Sequence, residues 1–212
     1  MPNIDNSIAI AKNFTSKWEQ LASVSPNKVI YFSSPSSLDG NTMVYAYPDA
    51  DSYSIGWGTY DTLSDGTKVI SGLSITKDQS DYELDYELRQ KESEIRGMVT
   101  ADLTDTQYAA LIDLAYNAGS GALKYNGLLD AINNGGDVAS ILPTIAITEK
   151  GTGKVLNVLK NRRKDEAMLW SGNYNDLYSY YLRNENTILI ATGIAAIGLS
   201  ISLYLYFKYK KK

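Results

Sequence analysis

The chain of 212 residues contains no cysteine and no histidine. Without thiols it can form neither a disulfide nor a thiolate metal site, and it has no cysteine nucleophile. Without imidazole it lacks the usual general base of serine hydrolases and the common ligand of catalytic zinc. We therefore expect carboxylates to act as the acid and base groups, with no metal and no cofactor.

Basic residues are scarce outside the C-terminus. The formal net charge is -4, and four of the 20 lysines and arginines lie in the last five residues, where there is no aspartate or glutamate. The rest of the chain is therefore clearly acidic. Non-specific nucleic-acid binding needs a basic face, so we expect no nucleic-acid partner.

An amphipathic helix is predicted over residues 7–23. Phe14, Trp18 and Leu21 recur at helical spacing and form an apolar face. The charged positions, Glu19 among them, are expected to face solvent.

Two capping boxes predict the starts of two further helices. Residues 76–79 read Thr-Lys-Asp-Gln and open a charged helix that is expected to run to about Val99. Residues 104–107 read Thr-Asp-Thr-Gln and open a more apolar helix, which we expect in the middle of the core. Later segments predict a weaker helix over 138–147 and a strong one over 155–170.

The stretch from Leu38 to Thr59 carries two acidic residues on a predicted β-hairpin. Asp39 and Asp49 lie on either side of an apolar run, and glycines alternate with large residues from Tyr53 to Gly58. Such glycines let the backbone pass close to a ligand. Cleavage of a glycosidic bond needs two carboxyl groups, one to protonate the leaving oxygen and one to act on water or the positive charge. The stretch therefore favours a glycosidase.

A long uncharged segment lies near the C-terminus. Residues 187–207 contain no charged side chain, and at ~1.5 Å per residue they can cross a hydrocarbon layer of ~30 Å. Lysines follow in residues 208–212 and would anchor the segment at one interface. We expect one transmembrane helix here, with a buried helix of a soluble domain as the alternative. Residues 1–7 show no basic start before an apolar run, so no secretory signal peptide is expected.

Six short motifs occur in order between Leu38 and Tyr174. They are Tyr47-Pro48-Asp49, the run from Tyr53 to Gly58, the run from Leu103 to Leu111, Tyr116-Asn117, Leu128-Leu129 with Asn133 to Gly136, and Arg162-Arg163 with Glu166. Each motif alone is weak, but the series resembles the phage-type lysozymes, the endolysins grouped as glycoside hydrolase family 24.

The resemblance implies an α+β fold that is mainly α. A small β-hairpin lobe and a helical lobe would hold peptidoglycan in the cleft between them. The expected organisation is an N-terminal helix and loop (1–37), a lysozyme-like domain (38–174), a juxtamembrane segment (175–186), the transmembrane helix (187–207) and a basic tail (208–212).

The family places a Glu before a Gly, then an Asp, then a Thr or Ser on the hairpin. Asp49 matches the Asp and Ser54 matches the hydroxyl residue. Asp39, followed by Gly40, stands where the family has Glu, one residue further from Tyr47 than usual. The resemblance thus implies Asp39 as the acid, Asp49 as the group that positions water or stabilises positive charge, and Ser54 as its assistant.

The matching motifs also imply residues that contact substrate or support the acid. The expected substrate contacts are Tyr47, Tyr53, Trp57 and Asn117. Arg162 or Arg163 would pair with the catalytic acid; the alternative is an ordinary salt bridge to Glu166 or Asp165. Asp49 could instead cap its own turn, and Ser54 could be a plain strand hydroxyl. Of the 17 tyrosines, most are expected to pack and a few to stack on sugar rings.

Three functions fit the sequence. The first is a membrane-anchored muramidase of a bacteriophage, which cleaves between N-acetylmuramic acid and N-acetylglucosamine in peptidoglycan. The second is an inactivated lysozyme fold kept as a structural or wall-binding part of a membrane-containing virion, and the third is a membrane-anchored protein of unrelated function. In the first two, the chain would be a single-pass protein of a virion internal membrane or the host inner membrane, with capsid or other virion proteins as partners.

Overall fold

The computed structural model describes residues 2–25, 28–49, 51–145 and 157–173. These residues fall into two compact units. The hairpin unit runs from Ser16 to Tyr86. The helical unit comprises the described residues up to Thr15 and those from Glu87 onward.

The expected juxtamembrane segment, transmembrane helix and basic tail lie outside the described residues. Among the helices that are described, none combines the length and the apolar character that a membrane span requires.

The hairpin unit contains the strands of the described chain, all paired antiparallel in three small sheets. In the first sheet β1 pairs with β2, in the second β3 pairs with β7, and in the third the order is β4-β5-β6. The strands are β1 (Ala22–Ser25), β2 (Lys28–Tyr31), β3 (Met43–Tyr45), β4 (Tyr47–Asp49), β5 (Ser52–Ile55), β6 (Thr59–Tyr60) and β7 (Ser74–Thr76). The predicted hairpin around Asp49 is therefore confirmed.

Helix α1 (Ile4–Glu19) starts earlier and ends earlier than the apolar pattern predicted. Phe14 is fully buried, as its spacing implied. The helix ends because Gln20 has a φ of 52°, in the left-handed region that an α-helix cannot continue through. The residues predicted as the last turn, from Ala22 onward, form strand β1 instead.

Helices α2 (Lys77–Arg96) and α3 (Asp105–Ala118) begin at the two predicted capping boxes. Thr104 Oγ1 accepts from the Gln107 amide, and the Gln107 side chain accepts from the Thr104 amide. The same reciprocal pair forms at residues 76–79. Both predicted helix starts are confirmed, because each box satisfies two amides that the first turn leaves without partners.

Three further described helices of the helical unit follow α3. These are α4 (Leu128–Asn134), α5 (Val138–Ile141) and α6 (Asn157–Trp170), together with 3₁₀ turns at Ser120–Gly127 and Leu142–Thr144. Helix α3 is buried along Tyr108 to Ala115 and packs on α6, so it forms the middle of this unit's core as predicted. Mainly helical structure with small sheets confirms the predicted fold class.

Candidate active site

Asp49 and Ser54 meet on the hairpin formed by β4 and β5. Both are buried, with 5% and 0% of their surface exposed. Ser54 Oγ donates a hydrogen bond of 2.7 Å to Asp49 Oδ2. Asp49 Oδ1 is buried and has no hydrogen-bond partner among the described residues. One carboxylate oxygen is therefore fixed by the hydroxyl, while the other can accept from water or stabilise a positive charge.

Tyr47 lies at the start of the same hairpin, opposite Ser54 in the strand register. Burial raises the pKa of Tyr47 well above its ordinary value, and the nearby charges of Asp49 and Glu19 raise it further, together with the Tyr31 hydroxyl. Tyr47 therefore keeps its proton and can only donate or accept as a neutral hydroxyl.

Asp39 lies in an exposed turn before β3. Its Oδ1 accepts from the Asn41 amide at 2.8 Å and from Asn41 Nδ2 at 3.2 Å, so the carboxylate caps its own turn. An acid that must stay protonated near neutral pH needs a poorly solvated site. The role of Asp39 as the acid stays a prediction, and its surroundings do not supply such a site.

Glu19 was predicted to face solvent. In the structure it lies at the hairpin that carries Ser54. It is the last residue of α1 and is half-buried. Its Oε2 lies 3.7 Å from the position that a Cβ on Gly58 would occupy. The carboxylate therefore lies beside the chain that follows β5, at a distance that a side chain on Gly58 would also allow.

The residue after Glu19 has a backbone conformation that is typical of glycine. Gln20 has a φ of 52°, a conformation that glycine adopts most readily. Gly40, by contrast, is not among the glycines with positive φ. The sequence did not point to Glu19, because Gln rather than Gly follows it and because strands β1, β2 and β3 lie between Glu19 and Tyr47.

Trp57 and Tyr53 were predicted to contact substrate. Trp57 is 7% exposed, and its Nε1 donates to Asp81 Oδ1 at 2.7 Å. Lys77, the first residue of α2, also binds Asp81, at 2.5 Å, so the indole is tied to the N-terminal part of α2. Tyr53 is half-buried on β5. Contact of either side chain with sugar stays a prediction, and the evident role of Trp57 is to fix the hairpin to α2.

Arg162 is buried in the helical unit and holds Asp113. Its Nε and Nη2 donate to the two carboxylate oxygens at 2.9 and 2.7 Å, and Thr15 Oγ1 adds a bond of 2.6 Å. Full burial alone would raise the pKa of Asp113, but Arg162 and the hydrogen bonds hold that pKa below its ordinary range. This arrangement is a bidentate buried ion pair of the kind that fixes helix packing.

Arg163 is fully buried beside Arg162 and binds Glu166. It also donates to Asn117 Oδ1 at 3.0 Å, so the predicted substrate residue Asn117 supports this arginine. Burial raises the pKa of Glu166 well above its ordinary value, and the charge of Asp113 adds to the rise while Arg163 opposes it. The salt bridge to Glu166, given above as the alternative, is present. Pairing of either arginine with the catalytic acid stays a prediction.

Comparison with known proteins identifies the family. The sequence model described as phage lysozyme matches residues 39–166 of this chain. The chain belongs to the phage lysozyme family. The match begins at Asp39, so Glu19 and the first two strands lie before it.

Related sequences in this family are endolysins. The chain is 30% identical to the endolysin of Bacillus phage B103 over 125 residues, which is 59% of this chain and 45% of that protein. It is 31% identical to the endolysin of Salmonella phage P22 over 106 residues, which is 50% of this chain and 71% of that protein. The chain spans about half the length of the Bacillus phage relative.

Solved lysozymes share the fold. The endolysin of Escherichia coli O157:H7 phage FAHEc1 aligns with a TM-score of 0.57 at 23% identity, over 78% of this chain and 90% of that one. A variant of P22 lysozyme aligns with a TM-score of 0.53 at 24% identity, over 80% and 98% of the two chains.

Proposed function

We propose that this protein is a muramidase of glycoside hydrolase family 24, which cleaves the bond between N-acetylmuramic acid and N-acetylglucosamine in peptidoglycan. The observation that carries the proposal is that two carboxylates lie along β5 of the hairpin unit: Asp49 is bound by Ser54 of β5, and Glu19 Oε2 lies beside Gly58, which follows that strand. Two carboxyl groups in different surroundings are what glycoside hydrolysis requires. The family and its endolysin relatives support the same activity.

In this proposal Glu19 is the general acid, in place of Asp39. Glu19 gives its proton to the bridging oxygen as the glycosidic C–O bond breaks, and Asp49 stabilises the positive charge or orients the incoming water. The water adds its hydroxyl to the anomeric carbon and returns a proton to a carboxylate. Ser54 holds Asp49 in place through the bond at 2.7 Å.

The test is the release of reducing sugar from purified peptidoglycan by the full chain, kept soluble with a mild detergent. Glu19→Gln removes the acid but keeps the size of the side chain, and we expect the rate to fall by about 100- to 10,000-fold. Asp39→Asn is the matched control and should hydrolyse at about the wild-type rate, because that carboxylate is exposed and caps a turn.

The opposite result, an inactive Asp39→Asn and an active Glu19→Gln, would return the acid role to Asp39. An inactive wild-type chain would favour the second function, a catalytically impaired lysozyme fold that binds the wall or serves as a structural virion component. The observation behind this alternative is that the sequence-matched acid position holds an exposed aspartate.

The proposal also includes a membrane anchor and the location of the protein. Residues 187–207 would span a membrane, and the enzyme would be carried by a virion with an internal membrane and act on the wall at entry, next to capsid proteins. Residence in the host inner membrane and action at lysis is the runner-up. Immunoblots of purified particles and of infected-cell membranes distinguish the two, since a protein absent from particles and abundant in host membranes acts at lysis.

A further inference from the structure

The hairpin formed by β1 and β2, here called the N-terminal hairpin, precedes the part of the chain that matches the family. The match starts at residue 39, whereas β2 ends at Tyr31. The N-terminal hairpin follows directly on Glu19 and Gln20 at the end of α1. It therefore lies outside the matched range and next to the proposed acid.

Hydrogen bonds attach the N-terminal hairpin to the end of β5. Ala22 of β1 donates its amide to the Gly56 carbonyl at 3.0 Å, and on its other side Ala22 is paired with Tyr31 of β2. Tyr31, Ala22 and Gly56 therefore lie side by side. Neighbouring strands are ~4.8 Å apart, so the backbone of Tyr31 is ~10 Å from that of Gly56.

Tyr31 lies near Tyr47 and keeps part of its surface open. Its hydroxyl is close enough to Tyr47 to raise the pKa of that residue, as Glu19 and Asp49 do. The side chain nevertheless remains 37% exposed. Tyr31 thus lies two strands from the end of β5, in the same unit as Glu19 and Asp49, and can still meet a ligand.

We propose that Tyr31 is a substrate-positioning residue, whose ring stacks on a sugar of the glycan strand next to the bond that is cleaved. The proposal rests on the proposed function, because it concerns the same site. A sugar ring suits contact with Tyr31, since pyranose rings present apolar faces that an aromatic ring can cover while their hydroxyls stay solvated. The position also fits, because a glycan held at Glu19 must extend beyond it in both directions.

The experiment compares variants at Tyr31 in the full chain. Tyr31→Ala removes the ring, and Tyr31→Leu removes the aromatic face while it keeps a bulky strand residue. Tyr31→Phe keeps the ring. Tyr82→Ala is the control, since Tyr82 is an exposed tyrosine of α2 in the same unit.

Two measurements are made on each variant. Hydrolysis of peptidoglycan gives KM and kcat, and titration with soluble N-acetylglucosamine oligomers gives Kd without need of catalysis. For Tyr31→Ala and Tyr31→Leu we expect KM and Kd to rise by about two- to tenfold with kcat retained, the size of one aromatic contact. Tyr31→Phe and Tyr82→Ala should match the wild type.

The outcomes separate the inference from the proposed function. Unchanged KM and Kd in both Tyr31→Ala and Tyr31→Leu would overturn the stacking role, even in an active enzyme. Equal defects in Tyr31→Phe and Tyr31→Ala would also overturn it, because they would assign the effect to the hydroxyl. If the wild type failed to hydrolyse peptidoglycan but Tyr31→Ala still weakened oligomer binding, the proposed catalysis would fail and the positioning role of Tyr31 would stand.

Discussion

The buried carboxylates of the two units have different partners. In the helical unit Asp113 meets the guanidinium of Arg162, and Glu166 meets that of Arg163. In the hairpin unit Asp49 is also buried, but the bond to it within the described residues comes from the hydroxyl of Ser54. One unit neutralises its buried acids, and the other keeps an acid with a neutral partner.

This difference in partners indicates whether a buried carboxylate serves the fold or the reaction. A buried ion pair with good geometry costs little to keep, and breaking it leaves an uncompensated charge. A buried carboxylate without a cation lowers stability, and folded proteins keep such groups chiefly where chemistry needs them. We therefore expect changes in the helical unit to affect folding and changes around Asp49 to affect the reaction.

The largest expected effect on stability follows from removal of Arg162. Arg162→Met leaves Asp113 buried without its counter-charge, and the free energy of unfolding should fall by about 3–5 kcal/mol. Urea denaturation followed by circular dichroism measures the change. Lys164→Met is the matched control, because Lys164 is exposed on the same helix. If the two variants lose the same stability, the ion pair does not have the structural role assigned to it.

Asp49→Asn should lower the rate of hydrolysis and leave the stability of the fold intact. The amide can still accept from Ser54 but carries no charge, so the rate of hydrolysis should fall by about 100-fold. The free energy of unfolding should stay equal or rise, because a buried charge is removed. Asp51→Asn, in the exposed turn of the same hairpin, is the control and should change neither. A large loss of stability in Asp49→Asn would place Asp49 with the structural carboxylates.

A smaller effect is expected from Ser54→Ala, which removes the one hydrogen bond that the Asp49 carboxylate accepts within the described residues. Loss of a partner by a buried acceptor costs about 1–3 kcal/mol of stability, and the rate should fall by about tenfold as Asp49 loses its fixed orientation. Ser54→Thr keeps the hydroxyl and should restore both. Activity that is equal in Ser54→Ala and the wild type would show that Asp49 needs no such support.

The sequence predicted those features that depend on neighbouring residues. The capping boxes at Thr76 and Thr104 could be predicted because the two residues of each box lie within four positions of sequence. The proximity of Asp49 and Ser54 could be predicted because one short hairpin holds both residues. The position of Glu19 beside Gly58 could not be predicted, because it depends on how α1 ends and on the strands that lie between the two residues in the chain.

The partners of the two arginines differ in the same way in how far they could be predicted from the sequence. The spacing of Arg163 and Glu166 is that of neighbours on a helix, so their salt bridge was foreseen as an alternative. The partner of Arg162 was not, because Asp113 lies 49 residues earlier in the chain. Long-range ion pairs of this kind depend on the packing of α3 on α6, which no local pattern specifies.

The smallest effect concerns the pH dependence of stability in the helical unit. Burial raises the pKa of Glu166 in the folded protein, among Asp113, Arg162 and Arg163, so the folded state binds more protons than the unfolded state above the ordinary pKa. The stability that this proton contributes is complete below about pH 4, the ordinary range of a glutamate, and is lost as the pH rises through the folded pKa. Glu166→Gln keeps an acceptor for Arg163 but cannot ionise. Its melting temperature relative to the wild type should therefore increase steadily from acidic to neutral and alkaline pH, and a constant difference would mean that Glu166 is ionised throughout.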